Sequence, residues 1–257
     1  MGLEKEKTSF IPLKGGTFKF QCHQGIDCFT KCCAALKLLL TPYDIIRMKN
    51  RLKLTSSEFL ETFTEPRMDG NDRFPKVFLK MNDDGKGRCP FVTLRGCSIY
   101  EDRPGACRIY PLGRAALKVD REKGVRQKFF IVRESHCLGF REHRQWTVNE
   151  WLANEGLEGY NAMNDRWLEI ITARKDLGSD KEVSRKLQMF SMASYNIDTF
   201  REFVFKSRFL DLFEVAVEQK NALASDDVAL MQFAIDWLKF SLFQEKTMQL
   251  KKGASNH

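Results

Sequence analysis

The distribution of cysteine constrains this chain more than any other feature. All eight cysteines lie within the first 137 residues, and four of them crowd together as Cys22, Cys28, Cys32 and Cys33. A chain of 257 residues can bury a stable hydrophobic core without covalent cross-links. The cysteines therefore require a chemical explanation, and metal binding, catalysis and disulfide formation are the usual ones.

The amino-terminal residues predict a reducing compartment. They begin Met-Gly-Leu-Glu-Lys-Glu-Lys and lack the apolar stretch of a secretory signal peptide. We therefore expect a cytoplasmic protein, in which clustered cysteines bind metal more often than they form disulfides. The longest apolar stretch, residues 34–40, is interrupted by Lys37 and is much shorter than the roughly 20 residues of a membrane span. We expect a soluble protein with no membrane partner.

The positive charge belongs to the cysteine-rich part. Residues 1–137 carry 26 Lys and Arg against 16 Asp and Glu, whereas residues 138–257 carry 16 against 18. A basic excess is typical of nucleic-acid binding. Metal-bound thiolates would cancel part of that excess, because each cysteine binds metal in its deprotonated form. The charge alone therefore does not predict a nucleic-acid partner.

Breaks in composition predict four segments: a flexible amino-terminal tail over residues 1–16, a cysteine-cluster metal-binding domain over 17–144, a helical region over 145–250 and a short tail over 251–257. The predicted class is α+β, with a loop-rich metal-binding module followed by an α-helical region. We expect the helical region to dock a protein partner or a substrate.

Helix caps predict where several helices begin. Thr41 followed by Pro42 predicts a helix that continues to Leu52. Capping boxes, in which a hydroxyl and a carboxylate satisfy orphan backbone donors, stand at Thr55-Ser-Ser-Glu58, Thr147-Val-Asn-Glu150 and Ser179-Asp-Lys-Glu182. Helical spacing predicts two further helices, one with Met163, Trp167, Ile170 and Ile171 and a stop at Gly178, the other with Leu230, Phe233, Ala234, Trp237 and Leu238.

Strand signals are confined to the first part of the chain. Val77, Leu79 and Met81 alternate with less apolar positions and predict a half-buried strand, which ends at the turn 82–85. Residues 125–132 predict another strand. Cys89, Cys97 and Cys107 fall between these elements, so we expect them in irregular segments.

The cysteine spacing excludes several common sites. Cys22-x5-Cys28-x3-Cys32-Cys33 lacks the C-x2-C knuckle of zinc fingers and differs from the spacing of plant-type ferredoxins. Neighbouring side chains diverge, so Cys32 and Cys33 are suited to serve different metal atoms or to bridge a cluster. Eight thiolates suffice for two sites of four, or for one 4Fe-4S cluster with four cysteines left over.

Several other residues are candidates for supporting roles. Arg103 and Arg108 flank Cys107 and are suited either to hydrogen-bond bound sulfur or to form ion pairs with Glu101 or Asp102. His23 and His136 adjoin cysteines and are alternative ligands. Tyr100 and Tyr110 are candidates for lining the metal pocket or for core packing. Asp44 lies in a first helical turn, where a carboxylate has a structural role.

The motifs resemble a known family over roughly residues 18–140. They are Cys22-His23, Cys28-Phe-Thr-Lys-Cys32-Cys33, Cys89-Pro-Phe91 and Cys97-Ser-Ile99-Tyr100-Glu-Asp-Arg103-Pro104-Gly-Ala-Cys107-Arg108-Ile-Tyr110-Pro111. The chain resembles the YkgJ-type cysteine-cluster family, whose members are described as zinc- or iron-chelating. This resemblance implies metal chelation by Cys22, Cys28, Cys32, Cys33, Cys89, Cys97, Cys107 and Cys137. It does not cover the helical region, and flagellin lysine methylases look like distant relatives.

Three function classes follow. The first is a protein that binds zinc or iron, or an iron-sulfur cluster, through its cysteines. The second is a metal-dependent enzyme that modifies proteins, such as a methyltransferase related to the flagellin lysine methylases. The sequence contains no glycine-rich cofactor loop, no Ser-His-Asp set and no H-E-x-x-H motif that would support this class. The third is a zinc-stabilised nucleic-acid-binding protein.

Overall fold

The computed structural model describes residues 8–70, 72–118 and 125–253. Short strands characterise the first part of the described chain and helices the second part, which confirms the predicted α+β class.

The strands are short and form small sheets. In chain order they are β1 (Thr8–Pro12), β2 (Thr17–Lys19), β3 (Leu39–Leu40), β4 (Thr64–Arg67), β5 (Lys76–Leu79), β6 (Val92–Thr93), β7 (Gly96–Cys97), β8 (Leu112–Lys118), β9 (Val125–Glu134) and β10 (Gln145–Thr147). The sheets have the orders β1-β9-β8, β10-β2, β3-β5-β4 and β6-β7.

The longer helices follow the last strand. In chain order the helices are α1 (Pro42–Leu52), α2 (Ser56–Phe63), α3 (Gly105–Ile109), α4 (Val148–Asn154), α5 (Leu157–Ile171), α6 (Asp180–Tyr195), α7 (Ile197–Lys206), α8 (Phe209–Leu212), α9 (Val217–Ser225) and α10 (Asp227–Phe243). None of the helices in the described part of the chain combines the length and the apolarity that a membrane crossing requires.

The chain divides into two compact units, and each is assembled from two stretches. The first unit contains the described residues up to Leu39 and those from Leu79 to Ala162; the second contains Leu40–Phe78 and the described residues from Met163 onward. All eight cysteines belong to the first unit. The sequence predicted a domain boundary between residues 144 and 145, and this boundary stays a prediction.

An aromatic core holds the first unit together. Phe18 pairs with Trp146 across β2 and β10, and both pack in a buried cluster with Phe20, Leu112 and Trp151. The indole N–H of Trp146 donates to the carbonyl of Phe20 at 2.9 Å, so this buried polar group is satisfied. Cys137 packs against the cluster, which places one of the candidate ligands beside the core.

In the second unit, a buried lysine joins helices that are distant in sequence. Lys49 on α1 is 5% exposed, and its ammonium lies 2.9 Å from Asp227 and 3.5 Å from Asp198. Asp227 also accepts from Arg201 at 2.5 Å. Each buried charge in this network is therefore paired, which removes most of the penalty of its burial.

The predicted helix caps are confirmed. Thr41, Thr55, Thr147 and Ser179 each form a capping box with the acidic residue three positions later. Asp44 is the acidic member of the first box and accepts from the Thr41 backbone N–H at 2.8 Å, in agreement with its predicted structural role. The pattern from Leu230 to Leu238 lies within α10.

Other local predictions differ from the structure. Residues 8–12, placed by the sequence in a flexible tail, form β1, because β9 supplies their hydrogen-bond partners from more than 110 residues away. The strand predicted through Met81 ends at Leu79, and Phe78 on its other face is also buried. Gly178 is not a helix stop, because α5 ends at Ile171 and Gly178 precedes the cap of α6 with a φ of +90°.

Candidate metal centre

The loop that carries the first cysteines is anchored to a segment more than 110 residues later. The backbone N–H of Phe20 donates to the carbonyl of Arg144 at 2.9 Å, and that of Gln21 donates to the carbonyl of Gly139 at 3.1 Å. The backbone N–H of Leu138 donates to the sulfur of the buried Cys28 at 3.2 Å. These bonds bring Cys28 next to the residue that follows Cys137.

Four thiols influence one another here, and we name them the first thiol group: Cys22, Cys28, Cys32 and Cys137. The pKa of Cys22 is raised to about 11, mainly by burial and in smaller part by the neighbouring thiols of Cys32, Cys28 and Cys137. Burial also raises the pKa of Cys137, with smaller contributions from Cys28 and Cys32. Such effects require close approach, because electrostatic interactions weaken with distance.

Cys32 also interacts with Cys33, the next residue in the sequence. A hydrogen bond with the Cys33 side chain is the largest cause that raises the pKa of Cys32, followed by burial. Cys33 in turn lies beside the third cysteine motif, because its carbonyl accepts the backbone N–H of Cys89 at 2.8 Å. The thiols of Cys32 and Cys33 therefore lie next to each other, and the backbone of Cys33 is bonded to the segment that carries Cys89.

Cys89 and Cys97 belong to one small hairpin. Val92 pairs with Cys97 across β6 and β7, and its N–H donates to the Cys89 carbonyl at 3.1 Å. Burial is the main cause that raises the pKa of each of these two thiols, and Cys97 contributes to the shift at Cys89. The prediction of irregular structure is right for Cys89. It is wrong for Cys97, on the short β7, and for Cys107, on α3.

Three polar side chains border the first thiol group. Burial raises the pKa of Tyr110, and the adjacent Cys137 raises it further. The Tyr110 hydroxyl lies beside this thiol without forming a hydrogen bond of regular geometry. Glu134 adds to the raised pKa of Cys32 and lies 3.5 Å from Nε2 of His136. Tyr110 therefore lies beside Cys137 and His136 beside Glu134, an acidic neighbour that the sequence did not predict, while the supporting roles of Tyr110 and His136 stay predictions.

The two arginines of the signature motif are held by α4 and its cap. Arg103 donates to the buried Glu155 carboxylate and, at 2.6 Å, to the carbonyl of Tyr100. Arg108 donates to the carbonyl of Glu155 at 2.6 Å and to the carbonyl of Glu101. Both guanidiniums are therefore held by Glu155 and by backbone carbonyls of the signature segment.

Arg103 also acts on a cysteine. Its positive charge opposes the burial that raises the pKa of Cys97, as expected for a cation near a developing thiolate. The guanidinium of Arg103 lies 3.6 Å from the centre of the Tyr100 ring. Tyr100 itself is 54% exposed, so it is not a core residue.

His23 has polar partners on both of its ring nitrogens. Its Nδ1 accepts the backbone N–H of Gly25 at 3.1 Å, and its Nε2 lies 3.7 Å from Glu142. No sequence pattern indicated Glu155 or Glu134, because the partner of Glu155 and the thiol neighbour of Glu134 are distant in sequence.

The donor chemistry of the cysteines fits a metal that prefers sulfur ligands. Thiolates bind zinc, iron and iron-sulfur clusters. No three His, Cys, Asp or Glu side chains within residues 8–70, 72–118 and 125–253 are arranged to hold a metal ion. Binding would require the thiols to lose their protons, because cysteine binds metal as the thiolate.

Grouped thiols from four separated segments define the first unit as a cysteine-cluster domain. Residues 21–138 match the family model CxxCxxCC, described as a "Putative zinc- or iron-chelating domain". This match agrees with the cysteine-cluster family that the motifs resemble. Comparisons with curated proteins and with solved structures found no match.

Proposed function

We propose that the first unit binds zinc or iron through two adjoining sets of four thiolates. One set is the first thiol group. The second thiol group consists of Cys33, Cys89, Cys97 and Cys107. The observation that carries this proposal is the mutual influence of the four thiols in the first group, together with the hydrogen bond from Leu138 to Cys28.

We divide the cysteines into two groups because the neighbouring residues Cys32 and Cys33 have different partners. Cys32 interacts with the first group, whereas Cys33 is hydrogen-bonded through its backbone to Cys89. Cys89 interacts with Cys97. Cys107 completes the second thiol group because it stands in the same signature segment as Cys97 and Arg103. Since Cys32 and Cys33 themselves interact, the two groups are neighbours, which suits two adjacent ions or one polynuclear cluster.

The surrounding residues have distinct tasks in this proposal. Arg103 favours the thiolate form of Cys97, and the Leu138 N–H donates to Cys28. Such contacts orient ligands and stabilise their negative charge. A bound ion would supply either structural cross-linking or Lewis acidity, and an iron-sulfur cluster would supply electron transfer. A cytoplasmic location stays a prediction, since clustered cysteines bind metal most often in a reducing compartment. Docking of a partner by the helical region stays a prediction.

The test is elemental analysis and absorption spectroscopy of protein purified without oxygen. Two zinc ions per chain and no visible colour would support two separate sites. Iron with sulfide and a band near ~400 nm would identify a cluster. Cys22→Ser and Cys89→Ser should each remove about half of bound zinc, because each breaks one four-ligand site. Full metal retention after Cys32 and Cys33 are both changed to Ser would refute the proposal.

A further inference from the structure

One buried residue holds both arginines of the signature motif. Glu155 is the C-cap of α4 and is buried. Its carboxylate accepts from Arg103, and its backbone carbonyl accepts from Arg108 at 2.6 Å. The last carbonyls of a helix have no partner within the helix, so Arg108 satisfies a buried group that needs a hydrogen bond. Gly156 follows with a φ of +61°, a conformation that favours glycine, and α5 begins at the next residue.

The same two guanidiniums also hold the chain between the two cysteines of that motif. Arg103 donates to the carbonyl of Tyr100 at 2.6 Å, and Arg108 donates to the carbonyl of Glu101. Both carbonyls belong to a short 3-10 turn over residues 100–102. Each arginine therefore joins this turn to Glu155, and Glu155 fixes the turn from outside the motif.

Two more side chains beyond the last cysteine contact the same motif. The hydroxyl of Tyr160 on α5 donates to the carbonyl of Arg103 at 3.2 Å, and the indole N–H of Trp151 on α4 donates to the carbonyl of Ile109 at 3.0 Å. Both side chains are buried, and all of these residues belong to the first unit. The first unit therefore uses α4 and the beginning of α5 to hold the motif that carries two of its thiols.

The ion pair between Arg103 and Glu155 is the part of this attachment that is most sensitive to mutation. Both charges are buried, so each depends on the other for compensation. Without the Glu155 carboxylate, the guanidinium of Arg103 would lower its free energy by moving toward solvent, which breaks its bond to Tyr100. Its positive charge would also be withdrawn from Cys97, where it opposes the effect of burial on the pKa of that thiol.

We propose that Glu155 is a positioning residue for the second thiol group, and that α4 is part of the metal-binding unit. This inference rests on the proposed function, because it assumes two groups of four thiolates. Glu155 acts through Arg103 and Arg108, which fix the segment between Cys97 and Cys107. The first thiol group is held instead by backbone hydrogen bonds with residues 138–144. A change at Glu155 should therefore affect the two groups differently.

The experiment measures zinc affinity by competition with a chromophoric chelator. Cys22→Ser leaves only the second thiol group intact and Cys89→Ser only the first, so each variant should bind one zinc ion. We expect Glu155→Ala to weaken zinc binding about 10- to 100-fold in the Cys22→Ser background, the usual effect of removing a group that orients metal ligands. In the Cys89→Ser background it should leave zinc binding unchanged.

Two further variants complete the comparison. Glu155→Gln keeps one acceptor for Arg103, so it should weaken the second group less than Glu155→Ala does, and it replaces Glu155→Ala if circular dichroism shows that the alanine variant is unfolded. Glu158→Gln is the matched control, because Glu158 is exposed, and it should leave both zinc affinities unchanged.

Two outcomes would overturn the inference and leave the proposed function in place. Equal weakening in both backgrounds would mean that Glu155 only stabilises the fold, since a general loss of stability acts on both thiol groups of one unit. Unchanged zinc affinity in both backgrounds would mean that the second group does not depend on Glu155. Failure of Cys22→Ser and Cys89→Ser to bind one zinc ion each would instead refute the proposed function, and this inference with it.

Discussion

Replacing Glu155 with Gln should destabilise the protein by about 2–4 kcal/mol. The side chains of Arg103 and Glu155 are only 10% and 8% exposed. Removing one partner of a buried ion pair costs about 3–5 kcal/mol, because the other charge stays buried without compensation. The Gln oxygen can still accept one hydrogen bond from Arg103, which returns about 1 kcal/mol.

The assay is urea unfolding followed by circular dichroism, with the free energy extrapolated to water. Glu158→Gln is the control, because Glu158 is exposed in the first turn of the following helix α5 and such changes usually stay within about 0.5 kcal/mol. Glu155→Ala should cost more than Glu155→Gln, since it removes the remaining acceptor as well. A loss below about 0.5 kcal/mol in Glu155→Gln would mean that Arg103 does not depend on this carboxylate.

Three further predictions concern other parts of the chain. In Asp227, burial raises the pKa, but hydrogen bonds from Arg201, Lys49 and Asn50 together lower it below its ordinary value. The stability that this carboxylate contributes is therefore present above about pH 4 and is lost as the pH falls through its lowered pKa. Acid titration of unfolding should show a shallower loss below about pH 4 in Asp227→Asn, and an unchanged profile would contradict the network. Phe20→Ala should lower the free energy of unfolding by about 3–5 kcal/mol, because Phe20 is 2% exposed and contacts the rings of Tyr110, Phe140 and Trp151. A loss of less than about 1 kcal/mol by calorimetry would show that the surrounding residues collapse into the cavity. If the free metal concentration is a thousand times its dissociation constant, removing the metal with a chelator should lower the free energy of unfolding by about 4 kcal/mol. Adding zinc back should restore it. An unchanged melting temperature after chelation would argue against a structural metal.

Local features of the sequence predicted local structure well. A capping box depends on four consecutive residues, so Thr41, Thr55, Thr147 and Ser179 located the starts of α1, α2, α4 and α6. The motifs also led to the family that the match over residues 21–138 describes, because such motifs are read from residues close together in the sequence. Predictions that required a distant partner were less accurate, as β1 illustrates: its strand exists through pairing with β9.

The sequence by itself determined that the chain carries eight thiol donors, that they stand in its first part and that helices follow them. Tertiary structure decided which cysteines are neighbours: Cys137 influences Cys22 across more than 100 residues, and the backbone of Cys33 is hydrogen-bonded to that of Cys89. It also decided that Arg103 is neutralised by Glu155. The physical reason is that donor type and helix caps are properties of neighbouring residues. Which thiols and charges meet depends instead on how an aromatic core and long-range backbone hydrogen bonds close the loops between them.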